Sequence, residues 1–126
     1  MTSGKFAIDR RQLGRMGEQL AARYLQEQGY RIMERNWRCP KGELDMVAAY
    51  LETIVFVEVR SRRDTGTFGS AEESVDARKQ RRVRELAHYY LYGQRALDQA
   101  IRFDVIAILF AADGTCLKLN HLASAF

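Results

Sequence analysis

The segment from Phe103 to Phe110, FDVIAILF, is the feature that most restricts the fold of this 126-residue chain. Every residue in it is apolar except Asp104. A strand with one face in solvent alternates polar and apolar residues, whereas a nearly continuous apolar run is typical of a strand covered on both faces. We therefore predict an α/β fold, in which a mixed central sheet is flanked by helices.

Other segments supply the remaining helices and strands. Apolar residues fall on one helical face over residues 12–28, and Gly29 is suited to end that helix. A second helix begins with a capping box at Ser70, or alternatively at Ser74, and ends near Gly93. Strands are predicted at 30–38, 43–50, 53–60, 103–110 and 115–119. The order is helix, three strands, helix, two strands.

The chain is long enough for one domain with its own core, and it contains no linker-like change of composition. We predict a single domain over residues 1–126, with 1–10 as a loose N-terminal arm. No apolar run could cross a bilayer, and no secretion signal is evident. Cys39 and Cys116 form no close pair and have no histidine at zinc-ligand spacing. We expect a cytoplasmic protein that does not contact membranes.

Basic residues exceed acidic ones by four, and sixteen of the twenty basic residues are arginine. Eight bases and four acids lie between residues 60 and 84. Arginine forks fit phosphate groups, so nucleic acid is a natural partner. A solvated basic face is the alternative, and charge alone does not separate the two.

Two predicted strands carry acidic residues at positions that should meet. Side chains two apart share a face of a strand, so Glu43 and Asp45 share one side and Glu58 and Arg60 share another. With Leu51-Glu52 as a two-residue loop, Asp45 faces Glu58 and Glu43 faces Arg60. A four-residue loop keeps this register and a three-residue loop breaks it.

Opposed residues in a strand pair have Cβ atoms about 5 Å apart. Two carboxylates that close repel unless one is protonated or a cation holds both. Mg²⁺ accepts a few carboxylates and keeps several water molecules, and such an ion can clamp a phosphodiester and activate water. The alternative is a cross-strand cluster of salt bridges on a solvated face.

Two helical residues favour a shared polar pocket. Lys79 falls on the apolar stripe of the second helix, where it must snorkel or reach toward buried acids. Glu18 lies at the edge of the first helix's apolar arc, although taken alone it is better explained as a surface residue. His88 and His121 are isolated in the sequence, and we expect His88 at the surface.

A series of short motifs runs in order along almost the whole chain. It comprises Gly17-Glu18, Tyr30, Arg35-Asn36, Gly42-Glu43-Leu44-Asp45, Phe56-Val57-Glu58-Val59-Arg60-Ser61-Arg62, Phe68-Gly69, Lys79 and Arg102-Phe103-Asp104. The series resembles the YraN-like family of uncharacterised bacterial proteins, and with it the restriction-endonuclease-like superfamily, whose signature is PD-(D/E)xK, close to Holliday-junction resolvases. This resemblance implies an αβββαβ core and a metal-dependent phosphodiesterase site.

The resemblance also implies roles for individual residues. Asp45 and Glu58 take the places of the two signature acids as ligands of Mg²⁺ or Mn²⁺. Glu18 matches an acid of the first helix that helps to arrange metal or water, and Lys79 matches a helix lysine near the phosphate. We expect Asp104 to be a structural partner of a nearby arginine.

Two positions depart from the signature. Leu44 replaces the signature proline before Asp45, and that proline carries no chemistry. Arg60 stands at the signature lysine position, where a lysine of lowered pKa can deprotonate water but an arginine stays protonated. Arginine can still stabilise a phosphate transition state, and Lys79 can supply the missing amine.

The leading hypothesis is a Mg²⁺-dependent nuclease that acts on DNA, including branched DNA. The alternatives are a catalytically silent nucleic-acid-binding module with a nuclease fold and a protein whose acids form only structural salt bridges. Resolvase-like relatives suggest a homodimer by analogy alone. The residues expected to hold the DNA backbone are Arg62, Arg63, Arg78 and Arg82.

Overall fold

The computed structural model describes residues 8–64 and 75–126. Within these ranges the chain forms helices and strands in the predicted order. Their bounds are α1 Arg10–Glu27, β1 Arg31–Cys39, β2 Gly42–Tyr50, β3 Thr53–Arg63, α2 Ala77–Gly93, β4 Ala100–Phe110 and β5 Cys116–Leu122.

The strands form one sheet in the order β1-β2-β3-β4-β5. Neighbouring strands are antiparallel except β3 and β4, which run parallel. A parallel pair needs a long crossover connection, and α2 lies in the segment that joins these two strands. The predicted mixed α/β architecture is confirmed.

The helices cover opposite faces of the sheet. Leu25 of α1 belongs to one buried cluster together with Val57 and Ile106, and α2 packs with Phe56 and Phe103 in the other. Adjacent residues of β3 and of β4 therefore point into different cores. This arrangement explains the apolar run of β4, because a strand between two helical layers has no solvent face.

The helix ends follow ordinary capping rules with one difference from the prediction. Gly29, with φ of +95°, follows the end of α1 as expected. The predicted starts of α2 at Ser70 and Ser74 lie outside the described residues. The described helix begins after Asp76, whose side chain accepts a hydrogen bond from the Lys79 N–H at 2.8 Å, and aspartate caps helices as well as serine does. In the described part of the chain, neither helix is long and apolar enough to cross a membrane.

The first described residues contact the core and the start of α1. Ile8 packs against the α1 core, and Asp9 forms a capping box with Gln12 at the start of α1. Residues 1–7 of the predicted arm lie outside the described residues. The prediction of a single domain over 1–126 stays a prediction.

A glycine brings α1 very close to β3. A Cβ atom at position 17 would lie 1.7 Å from Ser61 Oγ, and 3.7 Å from Ile108 Cδ1. Such an overlap is not tolerated, so glycine is required for this approach. The Ser61 hydroxyl is buried there and has no hydrogen-bond partner among the described residues.

Asp104 is fully buried in a hydrogen-bonded network on the α1 side of the sheet. Arg102 donates to both of its oxygens, at 2.9 and 2.8 Å, and the Ser124 N–H donates at 2.9 Å. His121 Nε2 donates at 2.7 Å, and the Tyr24 hydroxyl lies 3.0 Å from Nδ1 of the same ring. Burial alone would raise the Asp104 pKa, but the hydrogen bonds from His121, Arg102 and Ser124 outweigh it and lower the pKa to about 2. The predicted structural role of Asp104 is confirmed, while His121 is not isolated in the fold.

Candidate active site

The β2–β3 hairpin brings the two predicted acids together. Its two-residue loop and its register are as predicted as far as the Met46–Val57 pair. The next position of this register places Asp45 beside Glu58. The ladder ends here, and the Val59 N–H donates to Asp45 Oδ2 at 2.9 Å instead of to the backbone of β2.

The strict alternation predicted along β2 is wrong at Asp45. Leu44 and Val47 both belong to the α2 core, while Met46 belongs to the α1 core. Two-residue periodicity would put Leu44 and Met46 on the same side. The irregularity coincides with Asn36 of β1, which lies across from Asp45 and has a left-handed φ of +54°.

The predicted position of Glu43 opposite Arg60 is wrong for the same reason. The β2–β3 ladder ends before Glu43 is reached. On the other side of β2, Glu43 pairs with Arg38 of β1, and Arg38 Nε lies 3.5 Å from Glu43 Oε1.

Asp45 and Glu58 form a close pair of carboxylates. Burial, followed by the negative charge of Glu58, raises the pKa of Asp45 to about 7, although the Val59 N–H and Lys79 act in the opposite direction. Lys79 Nζ lies 3.2 Å from Glu58 Oε2, and the Glu58 side chain is only 12% exposed. Lys79 thus reaches from α2 toward the acids, as its place on the apolar stripe predicted.

Glu18 approaches the same acids from α1. Asn36 Nδ2 donates to Glu18 Oε1 at 3.1 Å. Burial raises the Glu18 pKa, the Asn36 hydrogen bond lowers it, and the charges of Asp45 and Glu43 raise it further. Glu18 is therefore half-buried and within electrostatic range of Asp45, unlike an ordinary surface residue.

A cleft of about 920 Å³ runs between the N-terminal part of α1 and the last part of β3. Glu18 lies on the α1 side, and Glu58, Arg60, Arg62 and Arg63 lie on the β3 side. Two of the predicted acids, Glu18 and Glu58, therefore share one concave surface with Arg60, Arg62 and Arg63, while Asp45 lies behind Glu58 and does not line it. Carboxylates beside guanidinium groups are a combination that suits a phosphodiester chain with a cation.

The other two predicted phosphate-binding arginines lie apart from this cleft. Arg78 and Arg82 are exposed residues of α2. The Arg82 side chain lies beside Gly42, with Nε 3.8 Å from the place where a Cβ of that glycine would be. The arginines predicted to hold the DNA backbone thus lie on two surfaces, one along β3 and one along α2.

The carboxylate oxygens of Asp45 and Glu58 are of the type that hard cations prefer as ligands. In residues 8–64 and 75–126, no three His, Cys, Asp or Glu side chains are grouped so that they could hold a metal ion. Asp45 and Glu58 remain as a pair, and Asp45 Oδ1 and Glu58 Oε1 are the oxygens not used in the bonds to Val59 and Lys79. Two carboxylates with water completing the shell suit Mg²⁺, and the same oxygen ligands suit Mn²⁺.

A family model described as "Uncharacterised protein family UPF0102" matches residues 17–108. The chain belongs to this family. It is the YraN-like group that the sequence motifs resemble, so that prediction is confirmed. The matched range of UPF0102 contains Glu18, Asp45, Glu58, Arg60 and Lys79.

Several UPF0102 proteins are similar to this chain over most of their length. The UPF0102 protein of Moorella thermoacetica is 54% identical over 101 residues, which cover 80% of this chain and 83% of the relative. That of Pelotomaculum thermopropionicum is 48% identical over 118 residues, covering 93% and 97%. That of Nocardia farcinica is 44% identical over 118 residues, covering 94% and 91%.

Asn36 is a site residue of this UPF0102 protein that the polarity pattern does not indicate. It connects β1 to Glu18 of α1 and lies across from the irregular position in β2. The available signal is chemical, because asparagine tolerates a left-handed φ better than most residues and can donate from its amide at the same time.

Proposed function

We propose that this UPF0102 protein is a Mg²⁺-dependent nuclease that acts on DNA phosphodiesters, including those of branched DNA, in the cytoplasm. The observation that carries the proposal is the Asp45–Glu58 pair at the end of the β2–β3 ladder. A carboxylate whose pKa is raised to about 7 by burial and by a second carboxylate is destabilised when charged. A structural salt bridge would lower the pKa, as happens at Asp104. The raised pKa of Asp45 therefore supports a site that binds a cation.

Asp45 and Glu58 are the residues that would hold the ion. Mg²⁺, when bound there, would neutralise phosphate charge and lower the pKa of a water molecule. Glu18 would orient that water from the α1 side, with its own position fixed by Asn36. Arg60, which lines the cleft two residues after Glu58, would stabilise the negative charge that builds up on the phosphate.

Lys79 would supply the amine that the Arg60 position lacks. In the structure its ammonium group lies against Glu58. From the first turn of α2 this ammonium group would contact the phosphate and donate a proton to the leaving oxygen. An arginine keeps its proton, so Arg60 cannot take this role.

The remaining arginines would hold the DNA backbone. Arg62 and Arg63 line the cleft directly after Arg60. Arg78 and Arg82 would extend the contact along α2. In a homodimer, which we propose by analogy with resolvases, two such clefts would act on a two-fold junction.

The proposal is tested by incubating the purified protein with single-stranded, duplex, flapped and four-way DNA in Mg²⁺, in Mn²⁺ and in EDTA. We expect cleavage that needs the metal and that falls by about a hundredfold or more in Asp45→Ala and in Glu58→Ala. The matched control is Glu27→Ala, which changes an exposed acid at the end of α1. Intact substrates under every condition, or unchanged cleavage by the two site variants, would contradict the proposal.

A second candidate function is a catalytically silent module that binds nucleic acid. It is favoured by the arginine at position 60 and by the salt bridge that Lys79 already forms with Glu58. This candidate predicts no cleavage and a salt-dependent affinity for DNA that persists after Asp45 and Glu58 are replaced. The same set of variants, assayed for binding in EDTA, separates it from the nuclease.

A further inference from the structure

Helix α2 has two contrasting sides. One side packs against the sheet through Val83, Leu86 and Tyr90. The opposite side is exposed and contains a shallow groove of about 740 Å³. We name this surface the outer face of α2, and its residues are Arg81, Arg84, Glu85, His88, Tyr89 and Tyr92.

The basic residues of α2 lie near its N-terminal end, where positive charge is unfavourable to a helix. The helix has five basic residues and one acidic residue, Glu85, and all five bases lie within residues 78–84. Its first turn contains no acidic side chain. The N-terminal end of a helix carries partial positive charge, so basic residues there weaken the helix. The same arrangement favours the binding of a polyanion.

Packing against the sheet does not explain the two tyrosines of the outer face, Tyr89 and Tyr92. Tyr90 is buried and provides the contact with the sheet, whereas its neighbours Tyr89 and Tyr92 are 43% and 69% exposed. Beside them, the exposed Arg84 also lines the groove, and its guanidinium carbon is restrained by two rings, 5.0 Å from the centre of Phe103 and 5.5 Å from that of Phe126. Exposed rings next to exposed guanidinium groups are the combination that binds the bases and phosphates of an unpaired strand.

We propose that the outer face of α2 binds single-stranded nucleic acid. Arg81 and Arg84 contact phosphates, and Tyr89 and Tyr92 stack on bases. The face extends for ~16 Å from Arg81 to Tyr92, at 1.5 Å per helical residue, which accommodates a short run of nucleotides. A duplex does not fit this surface as well, because its bases are stacked on one another and their flat faces are closed to tyrosine.

The outer face is connected to the candidate active site through α2 itself. Lys79, which contacts Glu58, lies in the first turn of the helix, and the groove begins at Arg81. A strand bound along the outer face would therefore run toward the end of the helix from which Lys79 contacts Glu58. This part of the inference rests on the proposed function and names unpaired strand as its substrate class, whereas binding to the outer face does not depend on cleavage.

Fluorescence anisotropy of labelled oligothymidine with the full-length protein in EDTA measures this binding without cleavage. We expect the double variant Tyr89→Ala, Tyr92→Ala to bind about tenfold or more weakly, because each stacked base contributes strongly. The double variant to phenylalanine should keep the affinity, since the rings remain. Leu97→Ala is the matched control, because Leu97 is 50% exposed and lies outside α2.

The phosphate contacts are tested by the salt dependence of the same binding. Arg81→Gln with Arg84→Gln should reduce the slope of log affinity against log salt by ~1.4, or ~0.7 for each phosphate that is no longer neutralised. Arg23→Gln, an exposed arginine of α1, is the matched control and should leave the slope unchanged. Oligouridine binding of similar strength also supports the inference, because neither stacking nor phosphate contact reads the sugar.

Four outcomes would overturn the inference. They are no binding of oligothymidine at low salt, equal binding by the tyrosine-to-alanine variant, a blunt duplex bound as tightly as the single strand, and binding of anionic lipid vesicles in place of the oligonucleotide. Failure of the proposed function is a separate result. If the protein binds oligothymidine through Tyr89 and Tyr92 but cleaves no substrate, the proposed nuclease function is contradicted and binding at the outer face is supported.

Discussion

Replacing Asp45 by asparagine should stabilise the fold above neutral pH. Asparagine has nearly the shape of aspartate, and its carbonyl oxygen can accept the Val59 N–H that now bonds to Asp45 Oδ2. Its amide can donate to the Glu58 carboxylate. The substitution therefore keeps the packing and removes the repulsion between the two acids.

The size of the effect follows from the pKa of Asp45, which is about 7 in the fold against an ordinary value of 3.8. The folded state holds this proton more tightly than the unfolded chain, so ionising Asp45 lowers the free energy of unfolding as pH rises through that interval. At about 1.4 kcal/mol for each tenfold change in the ionisation constant, the full cost is about 4 kcal/mol. We expect about 2 kcal/mol at about pH 8, because water in the open cleft screens part of the repulsion.

Urea denaturation in EDTA at about pH 8 and about pH 5 measures this difference. Asp45→Asn should gain stability over wild type at the higher pH and less than half as much at the lower, because the loss in wild type begins at the unfolded pKa of 3.8. Asp98→Asn, at an exposed position, is the matched control and should change neither. Loss of stability in Asp45→Asn at the higher pH would refute the reasoning and favour a structural salt bridge. Mg²⁺ should stabilise wild type and have little effect on the variant.

Three further predictions concern other parts of the molecule. Asp104 has a pKa of about 2 against an ordinary 3.8, so about 2 kcal/mol of stability present above pH 4 should be lost as pH falls, and Asp104→Asn should flatten this acid dependence in urea denaturation. Gly17→Ala should cost about 1–3 kcal/mol in the same assay, because its methyl group overlaps the Ser61 hydroxyl, and adding Ser61→Gly should recover part of the loss. Lys79→Met should raise the Asp45 pKa further, so that the pH-dependent fall in stability becomes larger and extends to higher pH.

Control variants and contradicting results separate these effects from general changes in stability. Parallel acid profiles for wild type and Asp104→Asn would show that Asp104 does not carry the acid sensitivity. Gly14→Ala is the control for Gly17→Ala, since a Cβ at position 14 meets nothing within 4 Å and alanine should be neutral or stabilising there. Equal stability of the two alanine variants would mean that α1 yields at Gly17. Lys118→Met, at an exposed position, should leave the pH profile of wild type unchanged.

The element order and most of the hairpin register could be predicted because burial leaves a clear polarity pattern. From Val55 to Val57 each residue of β3 is buried in one of the two cores, so any slip of one residue would exchange the cores. The prediction failed at Asp45, where regular alternation stops. The irregularity involves the backbone of Asn36 on another strand, and a polarity pattern within β2 carries no information about a neighbouring φ angle.

The network around Asp104 could be predicted only in part. An arginine two residues away on the same strand is on the same face, so the Arg102 contact follows from alternation. His121 is seventeen residues away and reaches Asp104 only because β5 folds back beside β4. The contact of Lys79 with the acids could be predicted for a different reason. A charged residue on the apolar stripe of a helix needs a partner nearby, and Glu58 is that partner.

The contact between Gly17 and Ser61 also determines the width of the cleft. Glu18 follows Gly17 directly, and Arg60 precedes Ser61, so the two walls are spaced by a backbone-to-side-chain contact that has no room for even a methyl group. Side chains along the walls can therefore be exchanged while the gap between the helix and the strand stays the same. A single added carbon at position 17 would change that gap along both walls at once.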